Sequence, residues 1–322
     1  MSSDPSLPDA LITVLVVAGP TASGKSAFAL EAAEALGGVV INADSMQVFR
    51  ELRILTARPS PEDEARVPHR LYGVLSAAEK GSAAWWRDRA LSEIDAAHQA
   101  GRIPIVTGGT GLYLRALIQG IATIPPVPEG VVAEAQALQA RIGGVAFHQA
   151  LGALDPVLAA RLQPGDTQRL LRGWAVATAT GRPLSAWQAD VVTPPAGLRF
   201  ISVLLFPPSP ASVEAIERRF RLMIDAGAVD EARALTALEL NRSLPAMKAL
   251  GVLQLIDFIE EKYSLDAAIE ATVIATRQYA KRQRTWFRHQ FVSNWTLDAQ
   301  FSKSSFQEIF PKIHNAVLTP ES

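Results

Sequence analysis

The chain has 322 residues, 48% of them hydrophobic and 20% charged, with 31 basic and 32 acidic side chains and a net charge of −1. That much apolar material excludes a disordered chain, and the length favours two structural units over one. Near-neutral charge means that any nucleic-acid partner must be held by a local basic patch. No cysteine is present, which excludes a disulfide scaffold, a thiolate zinc site, an iron–sulfur cluster and a Cys nucleophile.

The N-terminal MSSDPSLPDA has acids and prolines where a secretory leader needs a basic region and an apolar run. Residues 1–10 are expected to fray. The following apolar stretch is too short to span a bilayer, so a cytoplasmic protein with no membrane partner is expected. Leu11–Ala18 is a continuous β-branched run ending in Gly-Pro, the pattern of a strand covered on both faces. Lys25–Leu36 reads as a helix stopped by Gly37-Gly38, and Val39–Asn42 as a second strand. Residues 51–76 look irregular. Gly81–Ala100 is expected to be helical, Ile103–Thr107 to be a third strand, and Thr110–Gln119 to be a helix opened by glycines. This alternation predicts an α/β fold with a parallel sheet.

The character changes at the proline-rich IATIPPVPEG. Helical patterns run from about Val131 to Gln188, a strand returns at Phe200–Phe206, and helices follow to about Phe291. The tail beyond Ser302 carries no reading. The expectation is an α/β core over 11–119 and 200–300, interrupted by a helical insertion over 120–199.

Gly19-Pro20-Thr21-Ala22-Ser23-Gly24-Lys25-Ser26 matches G-x-x-x-x-G-K-[ST] between a buried strand and a helix. Backbone N–H groups of such a loop wrap an anion, the lysine adds a point charge, and the Ser26 hydroxyl can bind Mg²⁺. The loop predicts a bound diphosphate or triphosphate. ATP or GTP is its usual ligand, but neither DxxG nor NKxD occurs, and IPIVTGG ends in Thr and Gly where a Walker-B strand carries an acid. GTPases and motor ATPases are disfavoured; small-molecule kinases remain.

Asp44 leaves the second strand at its carboxyl end, the ligand-facing edge of an open α/β sheet. It either takes a proton from a substrate nucleophile or closes a turn, and spacing leaves both open. Gly108-Gly109-Thr110-Gly111 ends the third strand on the same edge; Thr110 caps the next helix, contacts the reacting centre, or does both, and taken alone the cap is the expectation. Between Thr276 and Gln290 there are five basic side chains and no acid. Arg277, Lys281, Arg284 and Arg288 fall on one helical stripe, suited to a phosphate backbone. Ala280, Phe287 and Phe291 form the anchoring face. His69, His98, His148, His289 and His314 lack metal-ligand spacing.

The strings GPTASGKS, INADSMQVFR, TARPS, GGTGLYLRAL, DTQRLLR and TRQYAKRQRTWFR, in this order, resemble the tRNA dimethylallyltransferase (tRNA isopentenyltransferase) family of bacterial type. The resemblance implies a P-loop NTPase-like core with a helical insertion that contacts tRNA. It implies transfer of the five-carbon group of dimethylallyl diphosphate to N6 of the adenosine 3′ of the anticodon, with loss of pyrophosphate, by a Mg²⁺-dependent monomer. The P-loop then holds a leaving group, with Asp44 as general base, Thr110 near the acceptor base and Arg219 on the diphosphate. The implied tRNA contacts are Asp44, Ser45, Met46 and Gln47 after the second strand, Gln168, Arg169, Leu170, Leu171 and Arg172 in the insertion, and the basic stripe. Trp174 and Trp187 are read as core residues. Departures from the family pattern fall at Leu55, Arg70, Gly73, Val132 and Leu250-Gly251-Val252-Leu253. A cytokinin-type adenylate isopentenyltransferase is a competing reading, which would need neither the insertion nor the basic helix.

Overall fold

The computed structural model describes residues 11–190 and 194–319; the expected frayed tail, 1–10, lies outside them. Gln119–Pro194 forms one compact unit, and the chain before and after it forms the other.

The larger unit begins with β1 (Ile12–Ala18), α1 (Lys25–Leu36) and β2 (Val39–Asn42). The stretch expected to be irregular contains α2 (Pro61–Arg66) and β3 (His69–Arg70). The helix is too short to leave a periodic pattern; Ser60 and Asp63 start it with a reciprocal capping box. Next come α3 (Ala83–Gln99), β4 (Pro104–Gly108) and α4 (Gly111–Gln119). After the other unit the chain resumes with β5 (Leu198–Leu205).

Among the described residues, six strands make one parallel sheet ordered β3-β2-β4-β1-β5-β6, where β6 is Trp295–Leu297. Successive side chains of β1 go to opposite faces, as strand pleating requires. Val14, Val16 and Ala18 join one apolar layer; Leu15 and Val17 join the other. The first layer is completed by α3, α4 and the run α9 (Ser209–Asp225), α10 (Ala228–Thr236), α11 (Val252–Ile259) and α12 (Leu265–Gln290).

The second layer is closed by α1 and by α13 (Lys303–Leu318), a helix in the tail that was expected to be uninformative. Phe306, Ile309, Ile313 and Val317 bury its apolar stripe. The packed core therefore runs past residue 300. Between β6 and α13, Phe301 lies against the P-loop: a Cβ on Gly24 would sit 2.5 Å from that of Phe301.

The register fixes the site. Ala18 pairs with Gly108 and with Leu204, and Asn42 pairs with Thr107. The P-loop, the Asp44 loop and the Gly109-Thr110 loop thus leave the sheet side by side at its carboxyl edge.

In the smaller unit, α5 (Glu129–Leu154), α6 (Pro156–Ala159), α7 (Thr167–Thr180) and α8 (Leu184–Gln188) surround Phe147, Leu151, Leu158, Leu170 and Trp174. Gly143, at φ 77°, kinks α5. Asp155 is fully buried; burial opposes its charge, but hydrogen bonds from the Ser185 hydroxyl and the Ser185 and Leu158 N–H groups outweigh that and hold its carboxyl below the usual range. Trp187 donates to Thr180 and carries the Arg182 guanidinium on its ring, consistent with a packing residue.

Candidate active site

The P-loop turns through Ala22 (φ 60°) and Gly24 (φ 87°) into α1. Not all of its amides face outward. The Thr21 N–H is donated to Gln283 Oε1 at 2.8 Å and that of Ser23 to Pro20 at 3.3 Å. The first helical bond runs from Phe28 N–H to Gly24, so the amides from Gly24 to Ala27 have no helical acceptor and present the positive end of α1. Lys25 Nζ makes one long contact, 3.4 Å to the Pro20 carbonyl. Burial, opposed by the attraction of Asp44 and aided by repulsion from Arg219, pulls the Lys25 ammonium down to about 8.

Arg219, on α9, is half-buried. Burial lowers its pKa and the Asp44 charge opposes that. It lines two cavities. One, of about 390 Å³, is walled by Gly24, Lys25, Ser26, Arg218 and Phe301. The other, of about 310 Å³, is walled by Thr21, Asp44, Ser45 and Tyr279, with Ile216, Phe220, Met223 and Leu250 as an apolar side. Cations that suit a diphosphate therefore meet, at Arg219, a half-apolar chamber with a carboxylate in its wall.

Asp44 closes a turn and also faces the chamber; its Oδ1 accepts the Met46 N–H at 2.9 Å. Asn42, fully buried, locks the turn by accepting the Asp44 N–H and donating to the Asp44 and Leu71 carbonyls. Thr110 was expected to cap α4. Its hydroxyl instead accepts the Ser45 N–H at 2.9 Å and donates to Ser45 Oγ, tying the start of α4 to the Asp44 loop.

Met46 packs partly into the core and lines the chamber. Gln47 spends its amide hydrogens on the Thr56 and Ala57 carbonyls, both at 2.9 Å, so it anchors the TARPS loop and has no donor left for tRNA. On α7, Gln168, Arg169 and Arg172 are exposed. Leu170 is fully buried and Leu171 packs against the same core. Leu170 cannot touch tRNA; both leucines hold the helix that presents the arginines.

The basic stripe on α12 divides. Lys281 and Arg288 are exposed. Arg277 is 3.6 Å from Glu217, and Arg284 donates to the Pro207 carbonyl at 2.5 Å with its guanidinium over Phe206. Arg284 thus secures the turn after β5.

Sequence reasoning passed over the opposite face of that helix. Thr272, Thr276, Tyr279 and Gln283 repeat at helical spacing and turn inward; the first three line the chamber. Burial and the Asp44 charge push the Tyr279 phenol up. Polar residues at core spacing were the available signal, masked by the arginines between them. Lys248 and Arg282, also unforeseen, line the chamber and are exposed.

Residues 47–290 match the family model described as IPP transferase. The chain is 57% identical over 281 residues to a tRNA dimethylallyltransferase of Rhodospirillum centenum, covering 87% of this chain and 90% of that one. It is 51% identical over 305 residues to one of Paramagnetospirillum magneticum, covering 95% and 97%. The solved full-length tRNA isopentenylpyrophosphate transferase of Bacillus halodurans superposes with a TM-score of 0.67 at 29% identity, covering 95% of this chain and 97% of that one. A eukaryotic dimethylallyltransferase solved acting on tRNA superposes with a TM-score of 0.79 at 22% identity, covering 96% and 81%, a likeness of fold.

Proposed function

This chain belongs to the IPP transferase family, and on that premise we propose how its cleft works. The enzyme transfers a dimethylallyl group to tRNA. The donor is dimethylallyl diphosphate, and the acceptor is N6 of the adenosine 3′ of the anticodon. One observation carries the reading: Lys25 and Arg219, two desolvated cations, share a cleft with Asp44, and Arg219 lines both the P-loop cavity and the chamber.

The diphosphate lies on the amides at the start of α1, between Lys25 and Arg219. The five-carbon chain extends into the chamber past Ile216, Phe220 and Met223. The bond between C1 and the bridging oxygen breaks, its electron pair leaves with the diphosphate, and the N6 lone pair forms the new C–N bond. Cations fixed in a dry site stabilise the charge that develops on the leaving group. The N6 proton passes to Asp44, whose carboxylate the Met46 N–H holds in place; a positioned base helps because the exocyclic lone pair is delocalised into the ring. An adenosine in a single-stranded loop is cheap to extrude into such a chamber.

Ser26 would contribute its exposed hydroxyl to Mg²⁺. Among the described residues no group of three His, Cys, Asp or Glu side chains forms a cage, which fits an ion that keeps its waters and shares substrate phosphates. When bound, Mg²⁺ supplies further neutralisation of the leaving diphosphate. Exposed Lys281, Arg288, Gln168, Arg169 and Arg172 are the tRNA contacts. Among the described residues no helix is long and apolar enough to cross a membrane, and family resemblance supports a monomer acting in the cytoplasm.

The test is incubation with dimethylallyl diphosphate, Mg²⁺ and unmodified tRNA, followed by digestion and mass analysis. N6-dimethylallyladenosine from the anticodon loop is expected. Prenylated free AMP with unmodified tRNA, or ADP formation from ATP without prenyl transfer, would overturn the reading.

A further inference from the structure

We propose that Gln283 is a positioning residue for the transfer: its single side-chain amide ties the diphosphate loop to the acceptor-side loop and sets the gap across which the prenyl carbon moves. This rests on the function proposed above. Gln283 projects from α12 into the sheet edge and is 6% exposed. Its Oε1 accepts the Thr21 N–H and its Nε2 donates to the Gly109 carbonyl, each at 2.8 Å.

One planar group thereby bridges loops that leave two neighbouring strands, β1 and β4. An amide of this reach supplies an acceptor and a donor together; an ionised Glu lacks the donor, and Met lacks the donor and offers only a weak sulfur acceptor. The fit is close on the far side as well. A Cβ on Gly109 would lie 2.5 Å from Nε2, so that glycine leaves room for the bridge.

The bridge has a cost to anion binding, since Thr21 surrenders a phosphate-loop N–H to a side chain. What it secures is a continuous connection from the leaving-group cradle to the base. From Gly109 the chain passes to Thr110, whose hydroxyl accepts the Ser45 N–H beside Asp44. Tyr279, one turn before Gln283 on α12, lines the chamber that Asp44 also lines. Bond formation needs the reacting atoms about 3–3.5 Å apart and in line, and an ångström of misplacement costs about a hundredfold in rate. Neither loop alone fixes that distance; the amide between them does.

A buried glutamine with a purely structural role predicts something different, and the two are separable. The full-length enzyme and its Gln283→Met and Gln283→Glu variants are compared in tRNA prenylation, in calorimetric binding of dimethylallyl diphosphate without tRNA, and in thermal unfolding. For Gln283→Met, kcat is expected to fall about a hundredfold while both KM values and the donor Kd move less than about threefold. Gln283→Glu keeps the acceptor for Thr21 but sets a carboxylate against the Gly109 carbonyl. Its activity relative to wild type is expected to climb as pH falls from about 8 to 6, because a buried carboxyl protonates readily and then donates. A Glu-to-wild-type ratio that stays flat with pH, or a loss confined to KM, overturns the proposal even if Gln283→Met fails to fold. Wild type that prenylates no tRNA refutes the proposed function itself. Wild-type turnover with a fully active Gln283→Met refutes the positioning role alone.

Discussion

Lys25 gives the sharpest quantitative expectation. Its ammonium is pulled down to about 8 by burial, against the attraction of Asp44 and with the repulsion of Arg219. A diphosphate beside it favours the charged form, so binding takes up a proton wherever the free enzyme has lost it. If only the protonated lysine binds, the competent fraction falls from about 0.9 at pH 7 to about 0.1 at pH 9, and the donor Kd rises about tenfold over that span. The donor's own terminal phosphate is ionised throughout that range. Calorimetry of dimethylallyl diphosphate binding at pH 7, 8 and 9, in two buffers of different ionisation enthalpy, reads both the Kd and an uptake of about half a proton at pH 8. Lys25→Arg, which stays charged, should bind with no such slope. A flat Kd for wild type, or the same slope in Lys25→Arg, refutes the reasoning. On folding, the sign reverses: the unfolded chain holds this proton more tightly, so Lys25's contribution to stability improves as pH rises from about 8 to 10.5.

Asp44→Asn keeps an oxygen for the Met46 N–H but removes the base, so single-turnover prenylation should slow by about 10²–10⁴ with tRNA affinity nearly unchanged; a loss under tenfold would count against the base. Arg219→Ala should weaken dimethylallyl diphosphate binding by about a hundredfold, with Arg219→Lys recovering part of it, since an ammonium restores charge without the fork; equal affinities would remove Arg219 from the diphosphate. On α12, Lys281→Ala with Arg288→Ala should flatten the salt dependence of tRNA binding by about two counterions and leave the melting temperature alone. Arg284→Ala should do the reverse, lowering the melting temperature through loss of its bond to Pro207, and a change in salt slope without destabilisation would contradict that assignment.

The sheet and its P-loop were legible because local pattern and tertiary placement agree there. The runs at Ile12–Ala18 and Val39–Asn42 are apolar on both faces, and the glycine loop needs a strand before it and a helix after it. The tail carried no reading because Pro311 and a serine-rich start obscure the helical spacing of Phe306, Ile309, Ile313 and Val317. Charge misled at Arg284, where a guanidinium that looks like a phosphate ligand satisfies a backbone carbonyl. Adjacency misled at Leu170, buried beside the exposed Gln168 and Arg169, and at Gln47, whose amide two loop carbonyls claim. Helical spacing marks Gln283 as inward-facing but not what it binds, because its partners, Thr21 and Gly109, lie far away in sequence and meet it only through the sheet register.

The central claim is that the glycine loop grips a departing diphosphate whose carbon chain points at Asp44. A crystal structure of the enzyme with a non-reactive thiolo analogue of dimethylallyl diphosphate tests it directly. The account predicts phosphate density on Lys25, Ser26 and Arg219, with the prenyl chain in the chamber beside Ile216 and Phe220 and its first carbon facing Asp44. Density for the analogue elsewhere, with the loop free of phosphate, or a chain running away from Asp44, would contradict it.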